Sequence, residues 1–157
     1  MSMLAFFEWC ESTAVGTTIR ESVWLFPVIE AVHLVALTVL GGAALVVDLR
    51  LLGWVLPRVP VARMARDARP WLLGALAVLL LTGLLLFLSE AVKCYYNTAF
   101  WVKMTSLLLA IIFVLTVRQK MTLREPEPAA TALKPVALVS MALWFTVAAA
   151  GRWIGFS

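Results

Sequence analysis

Charged residues are scarce in this sequence. Of its 157 residues only 14% are charged and 63% are hydrophobic, with a mean hydropathy of +0.97. Soluble domains contain about a quarter charged and about half apolar residues. A small domain has too much surface to hide such an apolar excess from water. The composition therefore excludes a soluble enzyme, a nucleic-acid-binding protein and a disordered tail, and the net charge of +4 is interpreted as a topology signal.

Residues and motifs that commonly carry catalysis are also few. The chain has two cysteines and one histidine. It contains no Cys-x-x-Cys pair, no glycine-rich phosphate loop, no nucleophile elbow and no zinc-protease motif. These absences count against a thiol-redox enzyme, a nucleotide-binding protein and a common hydrolase.

Long hydrophobic runs are the main feature that is present. The hydrocarbon core of a bilayer is about 30 Å thick and is crossed by about 20 apolar helical residues. Four runs are long enough, at residues 23–47, 71–92, 99–117 and 135–154. An open sheet is excluded because its unpaired backbone groups would face lipid. The sequence predicts an all-α integral membrane four-helix bundle that forms a single domain over residues 1–157.

The segments between the spans differ in their basic residues. Segments 48–70 and 118–134 contain nine, namely Arg50, Arg58, Arg63, Arg66, Arg69, Arg118, Lys120, Arg124 and Lys134, against four on the other side, namely Arg20, Lys93, Lys103 and Arg152. The positive-inside rule places both basic segments in the cytoplasm and both termini outside. We therefore expect a multi-pass protein of the bacterial inner membrane with periplasmic termini and the lipid bilayer as its first partner. Within these segments, Asp48 is expected to pair with an arginine of 48–70, and residues 122–132 are expected to form a flexible linker.

The first 22 residues do not resemble a secretory signal peptide, because they lack a basic leader and contain acidic residues. Phe6, Phe7 and Trp9 form a short apolar cluster, which predicts an interfacial N-terminal segment. Cys10 and Cys94 fall on the predicted outer side, where a disulfide is permitted, although two free thiols is the default expectation.

Ionisable residues well inside the predicted spans, away from their ends, are limited to Glu30, His33 and Lys103. Such residues are costly in a bilayer and usually face a bundle interior, a cavity or a cofactor. Glu30 and His33 are three residues apart and share one face of the first helix. His33 lies roughly 15 Å from the outer end, near the midplane, at about 1.5 Å per residue. Lys103 lies about one turn into the third helix.

Four interpretations of His33 are open. The first is a neutral imidazole that is hydrogen-bonded to Glu30 or to a neighbouring hydroxyl and helps the helices to pack. The second is an axial ligand of haem b, which needs a helix-borne nitrogen donor, small residues that admit the ring, and cations for the propionates. The third is a metal ion held by the Glu-x-x-His pair, with further carboxylates from a homodimer. The fourth is proton relay or ion transport.

The haem interpretation assigns roles to other residues. Arg20 and Arg152, with Lys93 as a further candidate, are placed to contact propionates at the outer face, and Glu30 lies beside His33. Because the chain has one histidine, the second axial position falls to Lys103, to a methionine, to a dimer mate's His33, or to nothing. The candidate methionines are Met104 and Met141. Lys103 otherwise extends to the interface or pairs with Glu30.

Several short motifs resemble a group of small uncharacterised four-span bacterial proteins. They are Val32-His33-Leu34-Val35-Ala36, Gly41-Gly42, Asp48-Leu49-Arg50-Leu51-Leu52-Gly53, Thr82-Gly83 and Phe100-Trp101-Val102-Lys103-Met104. More remotely, the histidine of the first span and the lysine that opens the third resemble CopD-type copper-resistance proteins and HemJ-type protoporphyrinogen oxidases. The HemJ type consists of small four-helix proteins that bind haem b and rely on a helix-borne histidine and lysine, so this resemblance implies the same roles for His33 and Lys103.

The sequence thus predicts a small haem b-binding membrane protein acting in electron transfer or tetrapyrrole redox chemistry, and leaves open whether it is an enzyme. The alternative is a non-catalytic scaffold or accessory subunit of a larger membrane complex or of a homodimer. Nucleic acid is not expected as a partner.

Overall fold

The structure is a computed structural model and describes residues 2–124 and 126–156. These residues form seven helices and no strand. The helices are α1 (Met3–Glu11), α2 (Ala14–Glu21), α3 (Leu25–Leu51), α4 (Val61–Ser89), α5 (Ala91–Tyr96), α6 (Thr98–Thr122) and α7 (Ala130–Ile154). Four of them, α3, α4, α6 and α7, are long and apolar enough to cross a membrane. The predicted all-α four-helix membrane bundle is therefore confirmed.

The four long helices alternate in direction and pack in a definite order. Helix α3 packs along α4 and also against α7, while α7 packs along α6. The order around the bundle axis is therefore α4, α3, α7, α6, so that α3 and α6 are diagonally opposite. Between α4 and α6 the described backbones come close chiefly at the last turn of α6, Gln119–Thr122. Near the chain termini these two helices meet through the stacked rings of Phe87 and Phe100, whose centroids are 5.7 Å apart.

The bundle has two ends, which are named here by their contents. The terminal end carries both chain termini together with α1, α2 and α5, and the basic end carries the connections 52–60 and 123–129. At the basic end lies a core of apolar side chains from α3, α4, α7 and the first connection, namely Val47, Leu51, Leu52, Val61, Leu133, Val136 and Ala137.

The terminal end is covered by the short helices. The ring of Phe7 makes edge contacts with Phe87 and Tyr95, at centroid distances of 5.3 and 5.2 Å. The carboxylate of Glu11 accepts a hydrogen bond of 2.6 Å from the backbone N–H of Val92. The predicted N-terminal segment is thus helical and attached to the ends of α4 and α5.

The connections are shorter than the sequence predicts. Helix α4 begins at Val61, so the first connection is 52–60 and not 48–70. The reason is that Val61, Met64, Ala65 and Ala68 recur at helical spacing and pack on the basic-end core, which keeps the arginine-rich segment helical. Pro70 is accommodated inside the helix.

The second connection also differs from the predicted linker 122–132. Thr122 is buried in the last turn of α6, and α7 begins at Ala130, which leaves 123–129 between them. One carboxylate oxygen of Glu127 accepts a 3.3 Å hydrogen bond from the N–H of Val61, and the other lies 3.5 Å from a terminal nitrogen of Arg50. A carboxylate at the start of α4 suits the helix dipole. Glu125 of the linker lies outside the described residues.

Candidate functional site

His33 faces the interior of the bundle. Moving along α3 in steps of three or four residues leads from His33 to the buried residues Ala36, Leu40 and Ala44, and such steps stay on one helix face. Its Nδ1 lies 2.8 Å from the hydroxyl oxygen of Thr82 on α4, within hydrogen-bonding distance. Its Nε2 makes no hydrogen bond to any residue that the structure describes.

The backbone of α4 comes unusually close to the imidazole ring. A Cβ atom built on Gly83 would lie 3.3 Å from Cε1 of His33. That distance is tighter than an ordinary van der Waals contact, so a side chain here would push on the ring. Gly83 and Thr82 together therefore allow one edge of the His33 ring to approach α4 closely.

Lys103 of α6 lies beside a glycine of α7, as His33 of α3 lies beside a glycine of α4. Its side chain lies beside Gly151 of α7, where a Cβ atom would be 3.6 Å from the amine nitrogen. The amine forms no hydrogen bond or ion pair with residues 2–124 or 126–156. His33 with Thr82 and Gly83, and Lys103 with Gly151, thus form two separate contacts in the terminal half of the bundle.

The other predicted site residues are placed differently. Glu30 is exposed, and it bonds neither His33 nor Lys103. Arg20 lies 3.2 Å from a carboxylate oxygen of Glu11 and donates a 3.2 Å hydrogen bond to the carbonyl of Ser89. Arg152 is exposed at the terminal end, with its guanidinium 4.5 Å from the ring centroid of Phe156. These three residues are thus on the terminal half but are not gathered around His33.

A second buried cluster, which is not predicted from the sequence, surrounds Asp48. Nε of Arg118 lies 2.9 Å from Oδ1 of Asp48, and the hydroxyl of Ser140 donates a 2.8 Å hydrogen bond to Oδ2. Arg118 also donates a 2.9 Å hydrogen bond to the carbonyl of Ala44. The pairing of Asp48 with an arginine of the first connection is therefore wrong. The cation that pairs with Asp48 is Arg118 of α6. A buried carboxylate needs a cation beside it inside the bundle, and Arg118 is buried there.

The path of α6 explains why Arg118 reaches the interior. In a regular α-helix it would be turned by about 80° from Ala110, eight residues earlier, at about 100° per residue. Residues Val114–Arg118 instead form a π-helical turn, which inserts one extra residue. Arg118 then lies within about 20° of the face of Ala110, which is fully buried. The wider turn converts a span-end arginine into an interior one.

Two cavities are described, and neither is lined by His33 or Lys103. One is an apolar groove of about 330 Å³ between α3 and α4, whose lining includes Val39, Gly42 and Trp71. The other, of about 460 Å³, lies at the terminal end beside Lys93 and Tyr96. Among the described residues, no three histidine, cysteine or acidic side chains are grouped to hold a metal ion. The Glu30–His33 pair therefore has no additional carboxylate from these residues.

Both cysteines are free thiols in the structure and both are buried. Cys94 lies in α5, outside the spans. Its burial raises the pKa of the thiol to about 11, and a thiol with a raised pKa is a poor nucleophile at neutral pH. Cys94 is therefore not a candidate catalytic group.

The comparisons with known proteins bear on the family and not on the activity. No curated protein and no solved structure matches the chain, and no relationship to CopD-type or HemJ-type proteins is shown. A model described as a family of unknown function, DUF6644, matches residues 6–157. Because this match covers both the described site and all four long helices, the chain belongs to the DUF6644 family.

Proposed function

We propose that this protein binds haem b in the terminal half of its bundle and acts in electron transfer or in the oxidation of a tetrapyrrole. The observation that supports the proposal most is the state of His33. Its Nδ1 is held by Thr82, whereas its Nε2 makes no hydrogen bond to the described residues. An interior imidazole with one anchored and one available nitrogen is the arrangement found in metal-ligating histidines.

The donor chemistry of the site fits haem. An imidazole nitrogen is a common axial ligand, and the Lys103 amine, which has no hydrogen bond to the described residues, projects from the diagonally opposite helix. In this proposal His33 would hold the haem iron, and Lys103 would be a second ligand or a polar partner. The remote resemblance to HemJ-type proteins in these two residues points the same way. Bound haem would supply one-electron redox chemistry.

Binding of haem would require space for its ring beside His33 and cations for its propionates. His33 lines neither described cavity, so in this proposal side chains near His33 repack to admit the ring. The pair α4 and α6 is suited to this, because its backbones are not closely packed. For the propionates, Arg152 at the terminal end is exposed, whereas Arg20 would have to exchange its contact with Glu11. Glu30, one helical turn from His33, is also proposed to contact the bound haem, but not its propionates.

An absorption spectrum of the detergent-purified protein tests the proposal. Protein from haem-replete cells should show a Soret band that is lost or shifted in His33→Ala. Thr38→Val is the matched control on the same helix, because the exposed Thr38 hydroxyl bonds only its own helix backbone. Colourless wild-type protein that also takes up no added haem would overturn the proposal.

A second candidate function is a non-catalytic scaffold or accessory subunit, in a homodimer or a larger membrane complex. The His33–Thr82 hydrogen bond favours it, because a bond between two spans is what a packing histidine needs. Under this proposal His33→Leu costs no more stability than the loss of one hydrogen bond between two spans, and it leaves partner binding almost unchanged. A chain that purifies without a partner and requires His33 for its biological activity would contradict it.

We also propose that the basic end faces the cytoplasm of a bacterial inner membrane. With Arg118 and Lys103 inside the bundle, the basic end still carries eight of the 13 basic residues, and the terminal end carries Arg20, Lys93 and Arg152. In a Cys10→Ser/Cys94→Ser background, an impermeant thiol reagent added to intact cells should label Gly155→Cys and not Arg58→Cys. The reverse labelling would overturn the orientation.

A further inference from the structure

We infer that Thr82 is a positioning residue that holds the proton of neutral His33 on Nδ1 and thereby keeps Nε2 as the free donor atom. The role of Thr82 toward haem iron rests on the proposed function. The position of the proton on the imidazole does not depend on the proposed function.

The hydroxyl of Thr82 has a single proton to donate. Its oxygen lies 2.7 Å from the carbonyl oxygen of Val78, one turn earlier in α4. A carbonyl has no proton to give, so at that distance the hydroxyl must be the donor. Bonding of a threonine hydroxyl to the carbonyl four residues earlier is a frequent arrangement in helices.

The direction of the second hydrogen bond then follows. The Thr82 oxygen is also 2.8 Å from Nδ1 of His33. Because its own proton is directed to Val78, the oxygen can only accept here, and Nδ1 must carry a proton. In the other tautomer, Nδ1 and the hydroxyl oxygen would face each other as two acceptors, or the hydroxyl would have to leave Val78. A neutral ring protonated at Nδ1 has its lone pair on Nε2.

Gly83 fixes the ring from the side. Any side chain there would come within 3.3 Å of Cε1, the carbon that lies between the two nitrogens. The hydroxyl of Thr82 thus holds one ring nitrogen, and the bare backbone of Gly83 lies against the adjacent carbon. Successive residues of α4 therefore set both the tautomer and the position of the imidazole.

This arrangement has a chemical use. A histidine that ligates a metal through Nε2 usually donates its Nδ1 proton to an oxygen, which orients the ring and makes the ligating nitrogen more basic. Thr82 provides such an oxygen before any ligand is bound. A more basic imidazole stabilises the oxidised state of a bound iron, so Thr82 would also lower its reduction potential.

The single histidine makes a direct measurement possible. Protein labelled with ¹⁵N-histidine and carrying no cofactor gives one pair of imidazole nitrogen signals. At neutral pH we expect a protonated-type signal for Nδ1 and an unprotonated-type signal for Nε2. In Thr82→Val, which keeps the shape but removes the acceptor, the proton should move wholly or partly to Nε2. Thr82→Ser should retain the wild-type pattern.

The outcomes are decisive in each direction. Wild-type protein with its proton on Nε2, or a charged ring at neutral pH, overturns the inference. So does a folded Thr82→Val protein with the wild-type pattern. Should Thr82→Val fail to fold, the wild-type tautomer and the Thr82→Ser pattern still decide the question.

A second measurement separates this inference from the proposed function. If wild-type protein binds haem, Thr82→Val should raise the reduction potential, and Thr82→Ser should leave it close to the wild-type value. An unchanged potential in Thr82→Val overturns the role of Thr82 toward the iron. If no haem binds, the proposed function fails, whereas the tautomer measured in cofactor-free protein still confirms or refutes the position of the proton.

Discussion

Arg118 and Asp48 form an ion pair across the diagonal of the bundle, with 2.9 Å between Nε and Oδ1. Their exposed fractions are 3% and 1%, so both charges are nearly sealed from solvent and lipid. Ser140 bonds the second carboxylate oxygen, which brings a third span into the cluster. The pair lies about 22 Å along α3 from His33, at about 1.5 Å per residue. The bundle is therefore held by polar contacts in both halves.

The ion pair makes a clear prediction about stability. Arg118→Leu leaves the carboxylate of Asp48 buried without a cation, and breaking a buried pair in this way costs about 3–5 kcal/mol in soluble proteins. We expect a comparable loss in the free energy of unfolding, measured by denaturation in mixed micelles of sodium dodecyl sulfate. Lys120→Leu, an exposed change two residues further on, is the control.

The double variant tests whether the loss comes from the unpaired charge. Asp48→Leu/Arg118→Leu removes both charges, and replacing a buried ion pair by apolar residues is often close to neutral. We expect the double variant to be more stable than Arg118→Leu alone. A double variant that loses as much as both single variants together would show that the two side chains do not act as a pair.

Much of this fold could be predicted from hydrophobic length alone. Residues such as Leu40 and Ala110 lie in apolar runs that must cross a bilayer as helices, whatever their neighbours are. Arg118 could not be placed in the same way. It directly follows the predicted span 99–117, and a charge at that point is usually the start of a loop. Only the π-helical turn, which no regular periodicity indicates, returns it to the interior.

The candidate site also contains one residue that the sequence predicts and a partner that only the structure shows. That His33 lies inside a span and faces the bundle interior could be predicted, because an ionisable residue within an apolar run is rare and usually faces inward. Its partner Thr82 could not be predicted, because the hydrogen bond joins two helices, and their relative rotation is set by packing. A residue pair 49 positions apart leaves no trace in local spacing.

Gly83 provides a test of the close approach between α4 and the imidazole. Gly83→Ala should be less stable than Gly74→Ala by about 1–2 kcal/mol, because an added methyl group overpacks the contact with His33. The same methyl group at Gly74 meets open space and adds helix propensity only. The two variants are compared by unfolding in mixed micelles. Equal stabilities would mean that the ring is not held against α4.

Gly16 tests the attachment of the N-terminal helices. A Cβ atom at this position would collide with the carbonyl of Leu88 at the end of α4. Gly16→Ala should therefore displace α2 and weaken the hydrogen bond from Arg20 to Ser89, at a cost of about 1–3 kcal/mol. Hydrogen exchange in α1 and α2 should become faster while exchange in α3 is unchanged. Gly41→Ala, which meets nothing within 4 Å, should leave exchange in α1 and α2 at the wild-type rate.

Cys94 gives a prediction about pH. Its buried thiol has a pKa raised to about 11 from an ordinary value of 9.0, and only the thiolate reacts with alkylating reagents. In a Cys10→Ser protein, where Cys94 is the single thiol, the alkylation rate at pH 8 should be at least tenfold lower than in protein unfolded with sodium dodecyl sulfate. The rate should continue to rise about tenfold per pH unit beyond pH 9, where that of the unfolded thiol levels off.

Because the folded state disfavours the thiolate of Cys94, the stability of the folded protein should also decrease as the pH rises above 9. Rapid alkylation of the folded protein at pH 8 would show that α5 does not bury Cys94 at the terminal end.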